Sequence, residues 1–462
     1  MREGPLLRSR VRCGEGLGEC HDVAKTADVD NVRELQRTLY RAAKADPGRR
    51  FHALHDKVHR RDVLERAWEL VRRNRGAAGI DQITITDVEH YGAARLLDEL
   101  ATDLRNGSYR PLAARRVFIP KRGSMERRPL SIPAVRDRVV QAAARIALAP
   151  IFEADFLACS FGFRPKRSAH DALQVLIDEA WKGQRWVVET DIANCFEAIP
   201  HNWLMQAIEE RVVDRKLLKL VRDMLRAGIM HDGAVTRRET GTPQGGVISP
   251  LLANVYLHRL DRAWQTHGVG SLVRYADDLV VMCKTRRQAE NALAVITATL
   301  ASMGLAPKPA KTRIMHLDED GEGLDFLGFH HRWVRSGDQR FRHVCFLARW
   351  PSRQAMQRAR QRVRELTARD RLRWPVKQVV RDLNRFLRGW AGYFRYGNST
   401  VQFDQIVKHA DRRLALLLAH RYQRAWWYGR KLLNSRPDRY GLISLNGTIV
   451  APRPNRPWRQ GR

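Results

Sequence analysis

The stretch Ser271–Cys283, SLVRYADDLVVMC, decides the reading of this chain: two apolar, β-branched runs flank Ala276-Asp277-Asp278. The pattern predicts a hairpin with the acidic pair at its turn. Asp is a common turn former, so an exposed turn is the plainest account of the pair. Tyr275 and the apolar flanks favour a chemical role instead, because adjacent carboxylates pressed between buried strands repel each other and lose hydration. A divalent cation offsets that cost. Asp191 ends a second run of this kind, Trp186–Thr190, which predicts a buried strand with a carboxylate at its tip. Three carboxylates suit a two-metal site if the two strands are neighbours, and adjacency is not legible in sequence.

Working outward, Ser249 as N-cap and Pro250 at the first helical position open a helix with Leu252, Val255, Tyr256 and Leu260 on one face. Thr285 caps another through Leu293, Ile296 and Leu300, and LDFLGF (324–329) reads as a short strand. Upstream, Asp214 caps a helix through Leu217, Val221 and Leu225 that Gly228 stops. RRVFIPKRGSMERRPLSIP (115–133) has the pattern of a hairpin whose loop carries Lys121, Arg122, Arg127 and Arg128. This alternation predicts an α+β fold. Beyond about residue 345 the pattern is purely helical, with Val376, Val379, Leu383, Leu387 and Trp390 on one stripe and Arg381, Arg385 and Arg388 beside it. Residues 1–30, rich in glycine and charge, read as a disordered lead.

The 462 residues carry 83 Lys+Arg against 50 Asp+Glu, a net charge of +33 that points to a polyanionic partner, nucleic acid first. Residues 331–462 hold +24 of it, nearly all arginine, whose guanidinium fork matches phosphate bidentately. No apolar run approaches the roughly 20 residues of a membrane span, so a soluble, cytoplasmic protein without a membrane partner is expected. The six cysteines form no C-x-x-C pair, which argues against a disulfide framework or zinc ribbon.

YADD (275–278), GTPQGGVISPLLANVYLHRLD (241–261) and the DIANCF segment from Asp191 together resemble the palm of reverse transcriptases. RRNRGAAGID (72–81), FGFRPKRSAHDAL (161–173), LDFLGF and LNRFLRGWAGYFRYGN (383–398) extend the resemblance to the reverse transcriptase/maturases encoded by group II introns, over roughly residues 60 to 430. Several motifs in one order are far more specific than any single one.

The resemblance implies a right-hand polymerase of fingers and palm followed by an all-helical thumb/maturase domain. The implied divisions are a lead at 1–30, a helical extension at 31–114, fingers and palm at 115–335, thumb/maturase at 336–440 and a basic tail at 441–462. Asp191, Asp277 and Asp278, with the Ile192 carbonyl, would hold two Mg²⁺ ions, for which Mn²⁺ may substitute. Lys121 and Arg128 match triphosphate-binding cations. Gln244 matches a residue beside the incoming nucleotide, and Phe196 the ring that excludes a ribose 2′-hydroxyl. Lys311 resembles a lysine near the primer grip and would bind RNA, as would Arg381, Arg385 and Arg388.

The implied partners are group II intron RNA, an RNA template with a DNA primer, and deoxynucleoside triphosphates. The implied function is RNA-directed DNA synthesis joined to splicing assistance and retrohoming. Two alternatives remain: the same fold in phage defence or a CRISPR system, and a non-catalytic RNA-binding splicing factor. Glu197 and Pro200 stand where relatives often carry Asp, and the cysteine–histidine pairs of an HNH nuclease module are not seen after Cys345, so no nuclease is expected.

Overall fold

The structure, a computed structural model, describes residues 19–120, 127–236, 239–242, 245–319, 321–337, 339, 343–435 and 440–456. Among them the strands run β1 (Ala114–Pro120), β2 (Arg127–Ile132), β3 (Trp186–Asp191), β4 (Ile229–His231), β5 (Ala234–Thr236), β6 (Ser271–Tyr275), β7 (Asp278–Cys283), β8 (Arg313–His316), β9 (Leu324–Phe326), β10 (Phe329–Arg335) and β11 (Cys345–Pro351). They form three sheets, ordered β2-β1-β4-β5, β6-β7-β3-β8 and β11-β10-β9.

The middle sheet is the organising layer because it is buried on both faces. Val188, Leu272, Leu279, Val281 and Cys283 enter one apolar core. Val187, Val273, Val280 and Met282 enter the other. Two-sided burial is why LVVMC is continuously apolar, where a half-exposed strand would alternate. Helices Val135–Glu153, Ser249–His267 and Arg286–Ser302 supply side chains to the first core. Helices Ala169–Trp181, Val376–Phe394 and Thr400–Arg421 supply the second, together with Phe329 and Leu347 of the third sheet. Each fully buried Val, Leu or Phe contributes on the order of 1.5–3 kcal/mol, so the sheet is held firmly from both sides.

Both predicted hairpins form. β1 pairs antiparallel with β2. β6 pairs with β7 through a two-residue turn, with Tyr275 opposite Asp278. Asp214 caps its helix by accepting from the Lys216 and Leu217 amides, and Thr285 forms a capping box with Gln288. Among the described residues no helix is long and apolar enough to cross a membrane.

Five expectations need correction. LDFLGF is two strands: Leu327 (φ 49°) and Gly328 (φ 81°) make a two-residue turn that pairs Phe326 with Phe329. The C-terminal region is not all-helical, because β11 pairs with β10 over seven residues and satisfies the edge that β10 would otherwise expose. Glu19–Asp30, placed in the lead, begin the helix Glu19–Ala45, a run free of glycine and proline; residues 1–18 lie outside the described residues. Ser249 is the first helical residue, preceded by Ile248 at the N-cap. The tail folds back in part: Leu445 is buried in the second core, and the Gln174 amide donates to the Arg453 carbonyl at 2.8 Å.

Candidate active site

The three carboxylates meet because β3 and β7 are adjacent and in register, which sets Asp191 opposite Asp278. Past Asp191 the chain stays beside the hairpin turn, where the Ile192 amide donates to the Asp277 carbonyl at 3.2 Å. The Asp191 carbonyl accepts from the Lys308 amide at 2.7 Å, which ties the β3 tip to the segment before β8. From that segment Lys311 reaches in, its Nζ 2.7 Å from Asp191 Oδ2 and 3.8 Å from Asp278 Oδ1. Lys311, expected near a primer grip, lies among the carboxylates.

Partial burial, and then the Asp277 and Asp191 charges, push Asp278 up to about 6 against the pull of Lys311. Burial works against the Lys311 ammonium, but the Asp191 hydrogen bond and the three carboxylate charges hold its pKa above the usual lysine range. Among the described residues no group of three or more His, Cys, Asp and Glu is spaced to hold a metal as it stands. The seated ammonium is nonetheless a stand-in cation between Asp191 and Asp278. Carboxylate oxygens with a peptide carbonyl are the hard donors that Mg²⁺ takes, so the residues present fit it.

A buried cradle holds the turn from beneath. Arg274, wholly buried in β6, donates to Asp261 Oδ1 at 2.7 Å and Oδ2 at 2.5 Å, to Asn254 Oδ1 at 3.0 Å and to Ser160 Oγ at 2.8 Å. It also donates to the Ala276 carbonyl at 3.1 Å, inside the turn. Ala276 has φ 59°, a left-handed conformation that a non-glycine residue holds only under external support. Gly162 lies so close that a Cβ there would overlap the Ala276 amide, and Asn254 Nδ2 holds the Gly162 carbonyl at 2.8 Å. The sequence signal for this cradle is Arg274 itself: an arginine inside an otherwise apolar strand requires a buried acidic partner.

The other expected residues divide. Phe196 is half-buried against the first core, and its carbonyl accepts from the Thr242 amide at 2.6 Å. Ile192 is buried beside the turn. Lys121 and Gln244 lie outside the described residues; Arg128 is paired opposite Ile119 in β2, with its side chain outside them. Arg381, Arg385 and Arg388 are exposed along the helix Val376–Phe394, on the side away from buried Leu383 and Leu387.

Residues 119–331 match the family described as reverse transcriptase (RNA-dependent DNA polymerase). This is the class in which the paired strands and their carboxylates fall. Residues 356–433 match the group II intron maturase-specific domain. The chain belongs to the group II intron reverse transcriptase/maturase family. It is 34% identical over 347 residues to Protein YkfC of Escherichia coli, covering 66% of this chain and 88% of that protein. It is 38% identical over 214 residues to the group II intron-encoded protein LtrA of Lactococcus lactis, covering 46% of this chain and 35% of LtrA. A 91 kDa protein in the cob intron of Schizosaccharomyces pombe is 29% identical over 401 residues, covering 71% of this chain and 49% of that protein. The chain therefore spans about a third to a half of the two intron proteins.

Proposed function

We propose that the chain is an RNA-directed DNA polymerase that binds its intron RNA, assists its splicing and copies it into DNA during retrohoming. The β3–β7 register carries the reading: it brings Asp191 opposite Asp278 and leaves a cation between them. A non-catalytic RNA scaffold has no use for carboxylates crowded in this way. In a right-hand arrangement the sheet β6-β7-β3-β8 would be the palm, β1 and β2 the fingers, and the helices from Arg353 onward the thumb.

Asp191, Asp277 and Asp278, with the Ile192 carbonyl, would hold two Mg²⁺ ions. The chemistry those ions supply when bound is a lowered pKa at the primer 3′-hydroxyl and neutralisation of the triphosphate charge. The protein contributes position: phosphoryl transfer needs fixed charge more than a protein nucleophile. Arg274 and Gly162 hold the turn that presents Asp277 and Asp278. Lys121 and Arg128 would bind the triphosphate, Gln244 would lie beside the nucleotide, and Phe196 would exclude the 2′-hydroxyl. Primer extension on an RNA template by Asp277→Ala tests the assignment. DNA synthesis should vanish while RNA affinity stays within about twofold, since the turn touches metal and not the RNA grip. Substantial extension by the folded variant would remove the catalytic reading.

A further inference from the structure

The helical C-terminal region carries an exposed aromatic cluster that the polymerase chemistry does not use. Trp426 is 56% exposed, Trp427 59% and Tyr422 44%. Large rings are seldom left this open without a contact to make. Three rings adjoin, Tyr422 and Tyr428 with centroids 6.1 Å apart and Tyr428 and Trp427 6.3 Å apart, and Trp426 precedes Trp427 in the chain. At Arg421, whose guanidinium donates to the Trp374 carbonyl at 2.6 Å, the cluster meets a further exposed ring, Trp374. Arg371 stacks on that ring at 4.1 Å.

The cluster is rigidly mounted. Trp426, Trp427 and Tyr428 open the helix Trp426–Ser435. That helix is pressed onto Thr400–Arg421 at buried Gly429, where a Cβ would overlap the Ala415 carbonyl. Its charge is mostly positive: no Asp or Glu occurs between Asp411 and Asp438, and Arg424, Arg430 and Lys431 are exposed on the segment that carries the rings. The acidic neighbours are Asp411, close to Arg430, and Asp382, 3.8 Å from Arg371.

We propose that this surface is a stacking platform for unpaired nucleobases of RNA, with Trp426 and Trp427 as its principal rings. Flat faces among guanidinium and ammonium groups accept base and phosphate together, and stacking needs bases splayed out of a helix. A duplex offers only its backbone. The occupant is therefore a loop, bulge or single strand, and the excess of positive charge selects a polyanion over an apolar protein face. The inference rests on the RNA-binding reading above and adds which part of the RNA is held and by which side chains.

The test compares the full-length protein with Trp426→Ala/Trp427→Ala, Trp426→Phe/Trp427→Phe and Trp426→Leu/Trp427→Leu. Dissociation constants are measured for a labelled 20-nucleotide unstructured RNA and for a blunt RNA duplex of equal length, across a salt series. Stacking predicts a loss of roughly fivefold or more per ring for the single strand, about 25-fold in the double alanine variant. Phenylalanine should recover most of that loss and leucine little. Duplex affinity and the slope of log Kd against log salt should not move, because no phosphate-binding cation has been removed. Extension of a short primer by the same preparations should also be unchanged, which shows that the variants are folded.

Equal single-strand affinity in wild type and double alanine variant would overturn the platform alone. So would an equal fall for duplex, or rescue by leucine, which would mean apolar docking. A wild-type dimer that the alanine variant loses in sedimentation would make the patch a contact between copies and overturn it as well. Failure of the wild-type protein to bind either RNA would overturn the platform and the RNA-binding reading together.

Discussion

Replacing Arg274 with alanine removes the donor that both neutralises Asp261 and holds the Ala276 carbonyl of the turn bearing Asp277 and Asp278. The pair is inaccessible on both sides, with 0% side-chain exposure for each residue. Deleting one partner strands an uncompensated buried charge, at a cost of about 3–5 kcal/mol. A domain stability of roughly 5–15 kcal/mol makes that a large fraction of the total, and a Tm fall of about 6–20 °C is expected. Loss of activity in this variant alone would not separate support of the turn from general destabilisation.

The double variant Arg274→Met/Asp261→Leu makes the separation. It leaves no buried charge, and apolar residues of similar volume are often nearly neutral in place of an ion pair. Asn254, Ser160 and the Ala276 carbonyl each lose a donor, at about 1 kcal/mol apiece, so up to about 2 kcal/mol of the lost stability should return. Polymerisation should not return with it. With Ala276 unsupported in its left-handed conformation, the carboxylates shift, and kcat should stay at least about tenfold below wild type while RNA affinity is unchanged. Thermal unfolding and single-turnover primer extension on the same preparations read both quantities. A Tm change under about 2 °C in Arg274→Ala would refute the energetic argument. Wild-type kcat in the double variant would reduce Arg274 to a stabilising residue with no part in positioning.

Three further outcomes are expected. Asp137 is buried, accepts from the Tyr109 hydroxyl at 2.7 Å and the Leu112 amide at 3.0 Å, and is pushed by burial up to about 6, above its unfolded value of 3.8. The folded protein therefore keeps a proton that the unfolded chain has lost, and stability falls as pH rises from about 4 to 6. Asp137→Asn should flatten that slope, read from urea midpoints across pH, while Asn keeps an acceptor for only one of the two donors. Phe196→Val should raise CTP incorporation relative to dCTP, measured as a ratio of kcat/KM on one RNA template; an unchanged ratio would return Phe196 to an ordinary packing role. Replacing Arg381, Arg385 and Arg388 together with glutamine should shallow the salt dependence of RNA binding by about one in log–log slope for each phosphate that is no longer neutralised. It should also reduce splicing more than extension on a homopolymer, and equal losses would show that the two surfaces are not separate.

The hairpins, the caps at Asp214 and Thr285, and the helical stripes from Val376 onward were legible in the sequence because each depends on neighbours a few residues apart. The same holds for the turn at Ala276-Asp277 and the strand ending at Asp191. The errors fell where the deciding contact was distant or unlike its surroundings. β11 has no local signature because its strand character depends on pairing with the edge of β10. LDFLGF shows no break in the sequence because a two-residue turn disturbs so little of an apolar run. The cradle was missed because Arg274, Asp261, Asn254, Ser160 and Gly162 come from separate segments and no local period relates them.

By itself, then, the sequence determined which side chains were available: the three aspartates, the arginine-rich C-terminal region and the motif order that marks the family. Only the tertiary structure decided that Asp191 stands opposite Asp278, that Lys311 seats its ammonium against them, and that Arg274 supports the turn from below. The physical reason is that sheet register and buried charge pairing are set by which segments exclude water together. That choice is made among residues tens to more than a hundred positions apart, where the sequence carries no spacing to read.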